Sequence, residues 1–159
     1  MDFRVADLRS AGEIEALVSH AVDRCGGIDV LVNNTGGPPA GTFEDLDDGV
    51  WQGAFEQILM SLIRCVRGVL SIMRERGGGR IVNVASSYVK QPIEALTLSN
   101  TFRAGLAGLA KTLSIELAPD GILSTPSVLA ASPRHARRVW TPLRSSLEPL
   151  ATQLGCTAS

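Results

Sequence analysis

Ser99 and Arg103 stand four residues apart, so on a helix they share a face and could together hold a phosphate, a carboxylate or a ribose hydroxyl. Neither shuttles a proton near neutral pH: a serine hydroxyl is a very weak acid, and arginine stays charged. Ser86 closes the apolar run Arg80-Ile81-Val82-Asn83-Val84-Ala85. There its hydroxyl either bonds a bound oxygen or satisfies backbone groups leaving a strand. Tyr88, the only tyrosine, lies two residues further on, where a rim aromatic is the plainer reading than a proton donor. The loop Gly36-Gly37-Pro38-Pro39-Ala40-Gly41 has the outer glycine spacing of a phosphate loop, but Thr42-Phe43 follow where Lys-Ser/Thr would be needed. His20 and His135 have no ligand or triad partners, and Cys25, Cys65 and Cys156 are scattered without CxxC spacing. Neither a metal site nor a disulfide framework is expected.

Helices and strands must position these residues. Ser10-x-x-Glu13 is a capping box opening a helix, with Ile14, Leu17, Val18, Ala21 and Val22 at helical spacing and Gly26-Gly27 as the stop. Ile28-Asp29-Val30-Leu31-Val32 reads as a strand running into Asn33-Asn34-Thr35-Gly36, and its near-continuous apolar character predicts a parallel strand covered on both faces. A long helix starts at Asp47 or Asp48, carries Trp51, Phe55, Ile58, Leu62, Val66, Val69 and Met73 on its apolar face, and ends at Gly77-Gly78-Gly79. Residues 80–85 form a second strand. A third helix runs from about Leu96 to Ala118, where Pro119-Asp120-Gly121 stops it. Phe3 to Ala6 reads as a short strand end. The alternation predicts an α/β fold with a parallel sheet. From Leu123 no period of 2 or 3.6 persists, so residues 1–122 are read as the domain and 123–159 as an irregular tail.

With 159 residues, 45% hydrophobic and 19% charged, the chain suits one globular domain. A net charge of −1 gives no field to recruit nucleic acid or an acidic membrane. No apolar run reaches the ~18 residues of a membrane span. Met1-Asp2-Phe3-Arg4 has no signal-peptide pattern, and a reduced, cytoplasmic setting is expected.

Four segments in order then carry a resemblance. Asp7 follows a strand end. Ile28 to Gly36 is similar to a strand ending in N-N-A-G. Ile81 to Ser87 is similar to a strand ending in a catalytic serine. Gly108-Leu109-Ala110-Lys111-Thr112-Leu113-Ser114-Ile115-Glu116-Leu117-Ala118 resembles the helix after a Tyr-x-x-x-Lys motif. Together they resemble the short-chain dehydrogenase/reductase family over residues 3–122, in particular an atypical branch of its 3-oxoacyl-carrier-protein-reductase-like members.

The resemblance implies a partial Rossmann-type, doubly wound parallel sheet lacking its first two strands. It implies NAD or NADP as cofactor, and hydride transfer between nicotinamide and a carbonyl or alcohol carbon. It places Ser86 at the catalytic serine, Ser99 at the catalytic tyrosine and Arg103 at the catalytic lysine. Ile58 falls at a catalytic asparagine, where its apolar stripe makes it a core residue. Asp7 and Leu8 fall at an adenine contact, and Asn33 and Gly36 at the ribose side. The glycine-rich diphosphate turn of the family has no counterpart, so cofactor binding is doubtful. The chain is therefore expected to be an oxidoreductase by family, incomplete at both ends and inactive as written, with a shifted reading frame near residue 122. The alternatives are a dimerising scaffold, or a decayed gene product. A homo-oligomer through helices 48–76 and 96–118 is expected, and the strand at 28–32 is expected to present a bare edge.

Overall fold

The computed structural model of the chain describes residues 3–86, 92–129 and 153–155. Helix α1 spans Ala11–Cys25. Ser10 caps it, its Oγ accepting from the Glu13 N–H at 3.4 Å. The other arm of the expected box is rerouted, because the Glu13 carboxylate accepts from the Asp7 N–H at 2.7 Å. Gly26, in the left-handed region, ends the helix and returns its N–H to the Val22 carbonyl.

Strand β1 is Val30–Asn33. Asp47 then caps α2, Asp48–Phe55, its Oδ1 accepting from Val50 N–H at 2.8 Å. The predicted long helix is one rod interrupted by a π-helical turn, Glu56–Met60, before α3, Ser61–Glu75. Strand β2 is Gly79–Ser86, α4 is Thr97–Glu116, and a 3₁₀ turn over Ala118–Asp120 leads into β3, Ile122–Leu129. A three-residue strand β4, Gln153–Gly155, completes the sheet.

The sheet order is β3-β2-β1-β4. The first three strands are parallel, in the registers Leu31↔Ile81 and Ile81↔Ser124, and β4 runs antiparallel to β1. Residues from α1 (Ile14, Val18), α3 (Val69, Met73) and α4 (Leu106) meet Leu31, Ile81 and Ile122 in one core. Each such side chain, fully buried, contributes about 1.5–3 kcal/mol of transfer free energy. Cys65 lies in the same core, where burial pushes its thiol up to about 11 and leaves it inert at neutral pH.

Several expectations are corrected. Phe3 to Ala6 is not a strand, and Phe3 and Val5 are 84% and 70% exposed. The β1 edge expected to be bare carries β4. The stretch expected to be irregular from Leu123 begins in β3, which stays paired with β2 as far as Ser86↔Leu129. Its local sequence lacks alternation, so the signal for that strand is the eight-residue ladder that β2 offers rather than any propensity of its own. Pro126 is tolerated because β3 lies at the end of the sheet order. The core lies against one sheet face, whereas Val30, Val32, Val82 and Val84 on the other are half-buried. Cys25 is disulfide-bonded, contrary to the expectation of no disulfide, since spacing along a chain says nothing of pairing across it.

The chain reverses direction at a glycine junction. Gly77, Gly78 and Gly121 have φ of 82°, 142° and 69°. Gly78 donates to the Met73 carbonyl at 2.9 Å, and Gly79 donates to the Gly121 carbonyl at 3.3 Å. This clamps the end of α3 and the start of β2 against the turn that launches β3.

Candidate functional site

The carboxyl ends of parallel strands are where an open α/β sheet presents its ligands. Here β1 ends in Asn33-Asn34-Thr35-Gly36 and β2 in Ser86, and the first turns of α4 lie over the β1 end. Two links fix that overlay. Gly41 donates to the Ala95 carbonyl at 2.7 Å, and the Thr97 hydroxyl donates to the Gly41 carbonyl at 3.1 Å. Aromatic edges extend it: the ring of Trp51 lies 5.8 Å from Phe102 and 6.3 Å from Phe43, centroid to centroid.

Ser99 and Arg103 are both delivered to this end by α4. Ser99 is buried, and its hydroxyl makes no hydrogen bond among the described residues. Arg103 is half-buried, and one of its terminal nitrogens donates to the carbonyls of Thr35 and Gly36 at 3.4 and 3.5 Å. Burial lowers the pKa of its guanidinium, which nonetheless stays charged at any physiological pH. Arg103 thus reaches the main chain at Thr35 and Gly36, and Ser99 lies one turn earlier on the same helix. The Ser86 backbone ends β2, but its side chain, like all of Tyr88, lies outside the described residues.

The other candidates fall elsewhere. Asn33 shares a face with Leu31, so strand alternation turns it into the sheet interior. Its Nδ2 donates to Asn83 Oδ1 at 3.0 Å, and Asn83 Nδ2 reaches Ser124 Oγ at 3.5 Å. The ribose role expected of Asn33 is corrected to a buried crosslink between strands. Asn83, missed as a functional position, was visible as the one amide inside an apolar strand.

Asp7 is clamped by Arg9, whose Nε and terminal nitrogen donate to both carboxylate oxygens at 2.7–3.2 Å. Arg9 holds the carboxyl down at about 2, first through the side-chain bond and then through the Arg9 backbone N–H. No hydrogen bond or ion pair among the described residues joins Asp7 to the Arg103 group, and Leu8 packs against the core. With the folded pKa depressed, the pair's stabilisation is present above the ordinary carboxylate value of 3.8 and is lost as pH falls through about 2. Arg9→Ala is expected to return the Asp7 titration, read by carboxyl NMR, toward 3.8 while leaving stability little changed, because the pair is exposed. An unmoved midpoint would show that Arg9 is not the cause.

Ile58, in the π turn, is fully buried in the core, as its apolar stripe implied.

The family model for short chain dehydrogenases matches residues 1–130. The chain belongs to the short-chain dehydrogenase family. A Streptomyces coelicolor protein named as a ketoacyl reductase is 40% identical over 151 residues, covering 87% of this chain and 57% of that protein. A D-beta-hydroxybutyrate dehydrogenase of Rhizobium meliloti is 33% identical, covering 74% of this chain and 45% of its own. Among solved structures, the F189W actinorhodin polyketide ketoreductase with NADPH superposes with a TM-score of 0.76 at 37% identity, covering 90% of this chain and 57% of that one. The chain spans about half the length of these short-chain dehydrogenase relatives, and its fold is the matching part of their Rossmann-type domain.

The residues present fit a nicotinamide dinucleotide only in part. Arg103, held at the Thr35 and Gly36 carbonyls, could donate to a ribose hydroxyl. The N-termini of α1 and α2 are poor diphosphate cradles: Ser10 and Asp47 already cap them, and Glu13 and Asp48 put negative charge in their first turns.

Proposed function

We propose that this chain is a Ser/Arg-substituted portion of a short-chain-dehydrogenase-type oxidoreductase, able to hold a ligand at its sheet end but unable on its own to turn over a carbonyl. One observation carries this reading. The two α4 side chains at the site are a serine and an arginine fastened to main-chain carbonyls, and neither exchanges a proton near neutral pH. A bound nicotinamide coenzyme, NAD or NADP, would supply or accept hydride. Arg103 would face its ribose, and Ser86 would be the remaining hydroxyl positioned to polarise a substrate oxygen. Asp7 and Leu8 would meet the adenine end only if the Arg9 clamp opened.

The test is absorbance-followed oxidation of NADPH and of NADH by the purified chain with a small β-keto ester. No carbonyl-dependent loss of reduced coenzyme is expected. Turnover above the protein-free rate would overturn the reading.

A second reading, a non-catalytic homodimer, is favoured by a specific surface. Thr101, Ala104, Gly105, Gly108, Thr112 and Ile115 form an exposed stripe along α4, and Ile115 is 76% exposed. A Cβ on Gly105 or Gly108 would meet nothing within 4 Å, so a second helix could approach closely. Self-association through helices 48–76 and 96–118 would cover this stripe. Light scattering after size exclusion is expected to give twice the chain mass, and a monomer at every concentration would count against it.

A further inference from the structure

We infer that Arg103 and Ser99 form a binding site for an oxyanion, a carboxylate or phosphate group. The charge balance around Arg103 sets it apart. Every other described arginine except Arg64 is exposed to solvent. Arg64, half-buried like Arg103, has the Glu56 carboxylate at 2.7 Å and the Arg9 carbonyl at 2.8 Å. Arg103 has no carboxylate partner among the described residues. It has only two long contacts from one nitrogen to neutral carbonyls, leaving its other N–H donors unused. A partly desolvated cation in that state gains more from an anion than an exposed one does.

The surroundings fit the same ligand. Ser99 lies one turn earlier, about 5–6 Å away between Cβ atoms. Ser99 as a residue is about nine-tenths buried and its hydroxyl makes no hydrogen bond among the described residues, so it is available to donate to the same oxyanion. Helix α4 has no side-chain cap and no acidic residue in its first turn, so its positive end adds to the field. The contrast with α1 and α2, whose first turns are both capped and acidic, is internal to this chain. A neutral ribose hydroxyl would leave the charge uncompensated, whereas an oxyanion neutralises it and accepts from both side chains.

This inference stands apart from the proposed lack of turnover, since a binding site needs no proton relay. It is tested on the full chain with inorganic phosphate and, separately, acetate, against chloride at matched ionic strength. The Arg103 side-chain Nε–H resonance and the melting temperature are followed. A saturable shift of that resonance is expected with either anion, with a dissociation constant on the order of 1 mM, together with a rise in melting temperature. In chloride, Arg103→Gln should melt at or above the parent, because an uncompensated cation has been removed, and its melt should ignore phosphate and acetate. Arg103→Lys should keep a weaker response, and Arg67→Gln, an exposed control, should respond as the parent does. Phosphate alone acting would assign a tetrahedral ligand, and acetate alone a carboxylate. Two results overturn the inference: a response to neither anion, or one that survives in Arg103→Gln. A loss of stability in Arg103→Gln that no anion modifies would instead assign Arg103 to holding the Thr35 and Gly36 carbonyls.

Discussion

Replacing Ile58 by asparagine is expected to cost about 4 kcal/mol and to erase the cooperative melt. Ile58 is fully buried within the π turn and packs in the central core. The change removes a buried hydrocarbon side chain worth ~1.5–3 kcal/mol and strands an amide whose unmet hydrogen bonds cost a further ~1–3 kcal/mol. A domain with only ~5–15 kcal/mol of total stability tolerates little of that. Ile58→Val, which keeps the shape but drops one methyl, should lose only ~1 kcal/mol. Urea denaturation of both variants checks this. A stable Ile58→Asn with a sharp transition would mean that the surrounding helices open to solvate an amide, and the core assignment of Ile58 would fall.

Gly78→Ala is expected to destabilise by about 3 kcal/mol or more. At φ of 142° an L side chain is strained, at a cost of ~1–3 kcal/mol. A Cβ there would also stand 2.7 Å from the Gly121 carbonyl oxygen, and backbone cannot swing aside as a long side chain can. Gly105→Ala serves as the contrast, since nothing lies within 4 Å of its Cβ position and alanine suits a helix better by ~1 kcal/mol. The two should move the thermal midpoint in opposite directions. Equal midpoints would show that the glycine junction relaxes and does not fix where β3 begins.

Much of the frame was legible because its signals are local. Ser10 and Asp47 cap the helices they announce, and Gly26 and Pro119-Asp120-Gly121 stop the helices they follow. The i, i+4 spacing of Ser99 and Arg103 was enough to put both on one face of α4. What was missed depends on partners distant in sequence. Asn33 looked like a ligand contact because the family resemblance placed it at the ribose side, but its side chain pairs with Asn83, fifty residues later. The π turn at Glu56–Met60 leaves the apolar periodicity intact and so is invisible in it. Strand β3 and the β4 cover on β1 arise from pairing with strands already laid down, which no local window contains. Asp7 was read by position alone, and the neighbour that occupies it, Arg9, is only two residues away.

The buried amide row has a bearing on how the chain finds its strand alignment. Asn33 and Asn83 face each other across the parallel ladder, two residues beyond the Leu31↔Ile81 pair and on the same face. Were β1 to slide by one residue along β2, Asn33 would rotate to the outer surface and Asn83 would lose its donor beneath the helices. A mis-threaded sheet would therefore forfeit both a hydrogen bond and an apolar contact in a single step. The polar end of the sheet therefore favours one alignment over its neighbours, although it looks least like core.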